Sequence, residues 1–292
     1  MRWLLLVALL ASCAAPPEWQ RDMQSALSES RSGARDLVVY FALPGRSASD
    51  SMESRLPHPV VLDALAAGGF VALIADGVAC KRMYAEWIGG SEGMGMCVLD
   101  GQGYCYAARP GPQDPGQVAA FLDYCASKRA ELAVLRSKLQ QPAVSPLDQY
   151  ALGCLLLDLG CRVHSEPLLT SAAMDGVAQA RLRLAHLFAL DGNLTAARRW
   201  LKTAPVSPAA KYTEGYVLFK ERSYEAAVKA FEEALATKKL GADRQNALLY
   251  LGKSLHQDKR DDQAIPILEA LVAEATGSTL EAAATHTLGH IY

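Results

Sequence analysis

The sequence predicts two folded parts behind a short export signal: an α/β sandwich over 18–140 and an all-α helical solenoid over 147–292. Three observations predict this. Short β-rich apolar runs alternate with helix-spaced segments up to about residue 140. A Pro-bounded linker, Pro142-Ala143-Val144-Ser145-Pro146, marks a boundary at 141–146, and beyond it no run reads as a strand. In that second half a spacing of small, Ala, bulky and small residues recurs. Composition agrees: 292 residues, 51% hydrophobic and 21% charged, suffice for the cores of two ordinary domains and are too apolar for disorder. A formal charge of -2 with no basic stripe excludes nucleic acid as a partner, because such binding rests on neutralising phosphates. There is no Gly-x-Ser-x-Gly, phosphate loop or dinucleotide fingerprint, so no cofactor and no small-molecule substrate is expected.

The N-terminus is an address. Arg2 supplies one positive charge, and Trp3 to Ala11 is an unbroken run of nine apolar residues. A membrane-spanning helix needs about 20 such residues, so the run reads as a signal-peptide core. It ends in Leu10-Ala11-Ser12-Cys13, which resembles the lipobox of bacterial lipoproteins. The alternative is an ordinary secretory signal with an incidental cysteine. The resemblance implies that residues 1–12 are removed and that Cys13 carries the lipid, palmitate included, that anchors the chain to a membrane of the cell envelope. Residues 13–17 then form a tether. Ala14 and Ala15 in place of Asp imply outer-membrane sorting, facing the periplasm, in a Gram-negative host.

Leu37 to Ala42 reads as a buried strand, broken by Pro44-Gly45. Ser49 to Ala67 carries Met52, Leu56, Val60, Val61, Ala64 and Leu65 at helical spacing, with Pro57 and Pro59 placed to kink or split the helix. Gly68-Gly69 stops it. Phe70 to Ala75 is a second strand, and a short helix follows around Cys80 to Trp87. Met96–Leu99 and Tyr104–Ala107 flank the turn signal Asp100-Gly101-Gln102-Gly103. Val118, Phe121, Leu122 and Cys125 form one face of a last helix.

That order resembles the thioredoxin family. Trp19, Ala26 and Gly33 are similar to the lead-in helix of its exported members, Phe41-Ala42-Leu43 to the strand before the Trp-Cys-x-x-Cys loop, and Met52-Glu53 to the turn of the helix after it. Asp76, Val98-Leu99-Asp100 and Gly103 resemble later landmarks. The chain departs from the family where the chemistry would sit. Counting from Phe41, the two redox positions hold Arg46 and Ser49, and Gly45 stands where the Trp would be. The cis-Pro position falls on Met94, within Gly93-Met94-Gly95-Met96. Dithiol exchange needs a nucleophilic thiolate and a second thiol to resolve the mixed disulfide. Neither Arg nor Ser supplies one, so the domain is expected to be redox-inactive and to hold no catalytic residue.

Six cysteines follow Cys13, at 80, 97, 105, 125, 154 and 161. Cys80 lies near a helix start, where a thiolate is favoured. A tight turn at Gly101-Gln102 sets residue 98 opposite 105 and predicts that Cys97 and Cys105 point to opposite faces, which disfavours a bridge between them. Cys154 and Cys161 are seven apart, about 10.5 Å on one continuous helix and too far to bridge unless Gly160 ends it.

In the second half Gly215 is followed at fixed offsets by Ala227, Phe231 and Ala234; Ala185 by Ala197, Leu201 and Ala204; Gly252 by Ala264, Leu268 and Leu271; and Gly153 by Ser165, Leu169 and Ala172. Gly289 opens a further helix. The anchors are spaced 32, 30, 37 and 37 residues apart, around the period of 34. The set resembles tetratricopeptide repeats, with a Sel1-like stretch at Asp175–Ala204, and the alternative is an unrelated helical bundle. The resemblance implies protein partners bound on the repeat surface. His286 and His290 share a helix face, but no third ligand accompanies them, and no metal is expected. The expected function is therefore a membrane-anchored scaffold or holdase-like factor for other proteins. The alternative is a thiol-disulfide oxidoreductase or isomerase that uses a cysteine outside the motif.

Overall fold

The computed structural model describes residues 17–90, 93–237, 240–241, 243–276 and 278–292. The expected signal peptide and Cys13 lie outside them. The chain divides into two compact units. Unit 1 takes the residues up to Lys138 together with Leu155–Ser165, and unit 2 takes Leu139–Cys154 and Glu166–Tyr292. One stretch therefore departs from the expected partition at 141–146, since Leu155–Ser165 folds with the first unit.

Unit 1 runs β1 (Trp19–Gln20), α1 (Met23–Gly33), β2 (Leu37–Ala42), α2 (Ser47–Arg55), α3 (Pro59–Gly68), β3 (Val71–Asp76), α4 (Lys81–Trp87), β4 (Gly95–Leu99), β5 (Cys105–Pro110) and α5 (Pro115–Leu139). The strands form one sheet in the order β1-β3-β2-β4-β5. β2 and β3 are parallel, with Val39 opposite Leu73, and β1 is parallel to β3. β4 is antiparallel to β2, and β5 to β4. All six residues of β2 are buried, as a central strand covered on both faces requires. The helix boundaries follow local chemistry. Asp22 caps α1 by accepting from the Gln24 and Ser25 amides. The two prolines split the expected 49–67 helix: α2 ends at Arg55, and α3 restarts with Pro59 at its first position behind His58.

The hairpin differs from expectation. Its connection spans Asp100–Tyr104, because the Asp100 carboxylate accepts from the Gln102 and Tyr104 amides, both at 2.9 Å, and Gly103 takes a left-handed φ of 86°. A bulge follows. Cys97 pairs with Ala108, Val98 with Ala107, and Leu99 with Cys105, so Tyr106 is skipped. Cys105 therefore shares the face of Leu99 and Cys97, and the expectation of opposite faces is corrected.

A buried polar cluster fastens α5 to the sheet. Asp36 Oδ2 accepts from the Tyr106 hydroxyl and from Arg129 Nε, each at 2.5 Å. Arg129 Nη1 donates to the Gly68 carbonyl at 2.5 Å, and the guanidinium lies 4.3 Å from the Phe70 ring centroid.

The remaining helices are α6 (Pro146–Asp158), α7 (Arg162–Met174), α8 (Ala178–Leu190), α9 (Leu194–Leu201), α10 (Pro208–Lys220), α11 (Tyr224–Leu235), α12 (Asp243–Gln257), α13 (Asp261–Glu274) and α14 (Thr279–Ile291). Unit 2 holds these apart from the last turn of α6 and the first of α7. One apolar core runs from Ala197 through Tyr212, Val217, Phe231, Leu251 and Leu268 to Ala284. Ser207 and Ser278 cap α10 and α14 through their hydroxyls.

Candidate functional site

The loop expected to carry redox chemistry is built differently. Arg46 is the exposed N-cap residue of α2 and makes no side-chain capping bond. Ser49, one turn on, is 1% exposed. Its hydroxyl accepts from the Leu43 amide at 2.8 Å and lies 3.2 Å from the Tyr40 hydroxyl. Ser49 thus ties the end of β2 to α2. The Met94 carbonyl accepts from Gly111 N at 2.9 Å and from the Tyr84 hydroxyl at 3.4 Å. No cis peptide bond occurs among the described residues.

The six described cysteines are free thiols. Burial raises the Cys80 thiol above its ordinary value, with the Asp76 charge adding to it, and burial pushes Cys125 up to about 12. Cys97, Cys105 and Cys161 form a buried group in unit 1. The hydrogen bond with Cys161 pulls the Cys105 thiol down, but the hydrogen bond with Cys97 and burial outweigh it and hold it well above the ordinary value. Cys161 is raised first by its hydrogen bond with Cys105 and then by burial, with the His164 ring opposing. His164 Nδ1 sits 2.7 Å from the Cys105 carbonyl oxygen, and its ring stacks on Tyr104 at 4.8 Å. The Arg136 guanidinium, paired with Asp100, covers the Tyr104 ring at 4.1 Å. No group of three or more metal-ligating side chains able to hold an ion is found among the described residues. His286 and His290 lie edge to face at 4.6 Å on α14.

In unit 2 the small residues sit where facing helices approach. A Cβ on Gly153 would lie 2.9 Å from Leu169, one on Gly215 2.9 Å from Phe231, and one on Gly252 2.6 Å from Leu268. Ala185, Ala197, Ala227, Ala234 and Ala264 are fully buried beside them. Gly289 differs, since a Cβ there meets nothing within 4 Å. α9 stops at Leu201, which leaves Ala204 beyond its helix. Replacing Gly252 with Val is expected to destabilise unit 2 by about 2 kcal/mol through overpacking against Leu268. Gly289→Ala is expected to be neutral or stabilising by up to about 1 kcal/mol, because Ala favours the helix. Urea unfolding of both variants checks the pair.

Spacing did not single out one face of α10 and α12. Tyr216 and Tyr250 meet edge to face at 4.9 Å, and Phe219 joins Tyr250 at 5.3 Å. Lys220 Nζ lies 5.3 Å from the Tyr216 ring and Lys253 Nζ 5.4 Å from that of Tyr250. Burial lowers the Lys253 pKa, and the neighbouring Lys220 charge lowers it further. Two ammonium groups on an aromatic floor repel each other, and an incoming carboxylate relieves that repulsion. Aromatic–Lys pairs three or four apart on each helix are the signal that could have found this face.

Residues 212–279 match the family model of the tetratricopeptide repeat. The aromatic–lysine face on α10 and α12 falls within the matched stretch. No curated protein matches the chain. The solved structure of MamA AMB-1 is 16% identical, with 51% of this chain and 89% of that one covered, at a TM-score of 0.40.

Proposed function

We propose that the protein is a lipid-anchored scaffold of the bacterial cell envelope that holds other proteins on its tetratricopeptide helices. The observation that carries this reading is the repeat match over 212–279, because such helix pairs stack to present surfaces for peptides and helices and need no catalytic residue. Lys220 and Lys253, with the partly buried Phe219 and Tyr250 beneath them and Tyr216 in the core behind, are the proposed contact surface, suited to an acidic segment.

The first unit is proposed to be thioredoxin-like and silent in dithiol exchange. The strand order β1-β3-β2-β4-β5, with β4 and β5 antiparallel to their neighbours, supports the likeness. The anchor at Cys13, and outer-membrane sorting in a Gram-negative host, rest on Leu10-Ala11-Ser12-Cys13 and Ala14-Ala15. The oxidoreductase alternative needs a thiol held as thiolate, whereas Cys80, Cys105, Cys125 and Cys161 are all held above the ordinary thiol value.

The test is capture of partners from envelope extracts by the detergent-solubilised full chain. A Lys220→Glu/Lys253→Glu variant that keeps its helical circular dichroism is expected to lose captured protein at least tenfold, with the loss counted by mass spectrometry. Equal capture by the variant moves the contact off this face. No capture by the unmodified chain overturns the scaffold reading.

A further inference from the structure

We propose that Cys105 and Cys161 are joined by a disulfide in the mature protein, which ties the Leu155–Ser165 turn to strand β5. The two residues are far apart in sequence and adjacent in unit 1: Cys161 Sγ donates to the Cys105 carbonyl oxygen at 3.4 Å. Both are buried, at 1% and 0% exposure. The backbones on either side are held in place as well. Ala108 N donates to the Leu159 carbonyl at 3.0 Å, and His164 Nδ1 rests 2.7 Å from the Cys105 carbonyl oxygen. A disulfide needs α-carbons about 4.4–6.8 Å apart and facing Cβ atoms, and a Cys161 sulfur already at hydrogen-bond distance from the Cys105 backbone brings the pair toward that range.

Cys97 is the competing partner. It pairs across the sheet with Ala108, while Cys105 pairs with Leu99. The two cysteines are therefore diagonal neighbours, and diagonal positions stand about 7–8 Å apart, beyond the usual disulfide reach. Cys161 is the partner that geometry favours.

The reaction is a thiol–disulfide exchange with an external disulfide as oxidant. Cys161 loses its proton to the His164 ring, and its sulfur attacks the external disulfide, releasing one thiolate and leaving a mixed disulfide. The Cys105 sulfur, deprotonated in turn, attacks Cys161 Sγ and releases the second thiolate. Two thiols are oxidised, one external disulfide is reduced to two thiols, and the two protons end on those products. Buried thiols with raised pKa exchange slowly, so the bond forms as the chain folds, before the turn covers β5. Persistence of the bond in the cell rests on the export reading above, since exported compartments keep disulfides. Its geometry does not depend on that reading.

The test refolds the full chain in detergent with oxidised and reduced glutathione, traps free thiols with N-ethylmaleimide and digests with trypsin. Peptide 83–128 carries Cys97, Cys105 and Cys125, and peptide 139–162 carries Cys154 and Cys161. The two are expected as one reducible cross-linked mass in the unmodified chain and in Cys97→Ser and Cys154→Ser, and as separate masses in Cys105→Ser and Cys161→Ser. Reduction is also expected to lower Tm by about 10 °C in the unmodified chain and not at all in Cys161→Ser. Separate peptides from the refolded unmodified chain, with Cys105 and Cys161 both alkylated or Cys105 bridged to Cys97, overturn the proposal. Because refolding supplies the oxidant, such a failure is a failure of geometry. A bond formed in the tube but absent from envelope-purified protein overturns the mature-protein claim through the export reading.

Discussion

Gly160→Ala is expected to cost about 3 kcal/mol and to release the Leu155–Ser165 turn from β5. Two effects add. Gly160 has a φ of 80°, a conformation that costs an L-residue about 1–2 kcal/mol. A Cβ there would also lie 2.2 Å from the Ala108 carbonyl oxygen and 2.5 Å from Arg109 Nη1. The carbonyl is backbone inside a paired strand and yields only if the turn moves, which adds about 1–3 kcal/mol of overpacking. The bond from Ala108 N to Leu159 O then opens, and the Ala108 amide is expected to exchange its hydrogen about 100-fold faster. Gly103→Ala is the control. Its φ is 86°, but nothing lies within 4 Å of the added Cβ, so about 1 kcal/mol and no change at Ala108 are expected. Equal costs at the two positions would falsify the steric half of the argument.

Asp36→Ala is expected to destabilise unit 1 by about 3 kcal/mol. One carboxylate oxygen receives both Tyr106 and Arg129, and its removal strands a buried hydroxyl and a half-buried guanidinium. Arg129 already carries a buried Nη2 without a hydrogen-bond partner, so little remains to compensate it. Its side chain is 35% exposed, and solvent keeps the loss below that of a fully buried pair. The triple replacement Asp36→Leu/Tyr106→Phe/Arg129→Leu is expected to cost less than Asp36→Ala alone, because it leaves no uncompensated charge. Hydrogen exchange of the β2 amides, compared between the two variants, reads the difference. A triple variant less protected than Asp36→Ala means that the cluster is worth more intact than stranded partners can explain.

Most of the strand and helix order was legible because it rests on local signals. The apolar run Leu37–Ala42, the Pro57/Pro59 split and the stop at Gly68-Gly69 each act within a few residues. The small residues at 153, 215 and 252 were legible for the same reason, since repetition shows the spacing that close helix approach demands. The hairpin register was not. It turns on the Asp100 carboxylate closing a five-residue connection and on a bulge at Tyr106, choices that a turn dipeptide does not encode. Assignment of Leu155–Ser165 to the first unit was equally hidden, because it depends on one backbone bond and on Cys161 and His164 meeting a strand more than 50 residues away in sequence. The Lys220/Lys253 face was present in the sequence but is read only once two helices are known to lie side by side.

The Leu159–Ala108 bond has a consequence for association as well as for folding. A sheet presents unpaired amides and carbonyls at its two margins, and each margin is a template on which another chain can add a strand. Here one margin is β1, only two residues long. The other is β5, whose Ala108 amide is occupied by the turn and whose side chains are buried from Cys105 to Ala108. The short margin and the covered one leave little ladder to copy. Copies of the chain that meet therefore find few free edge groups on this sheet, which disfavours their growth into strand-exchanged aggregates.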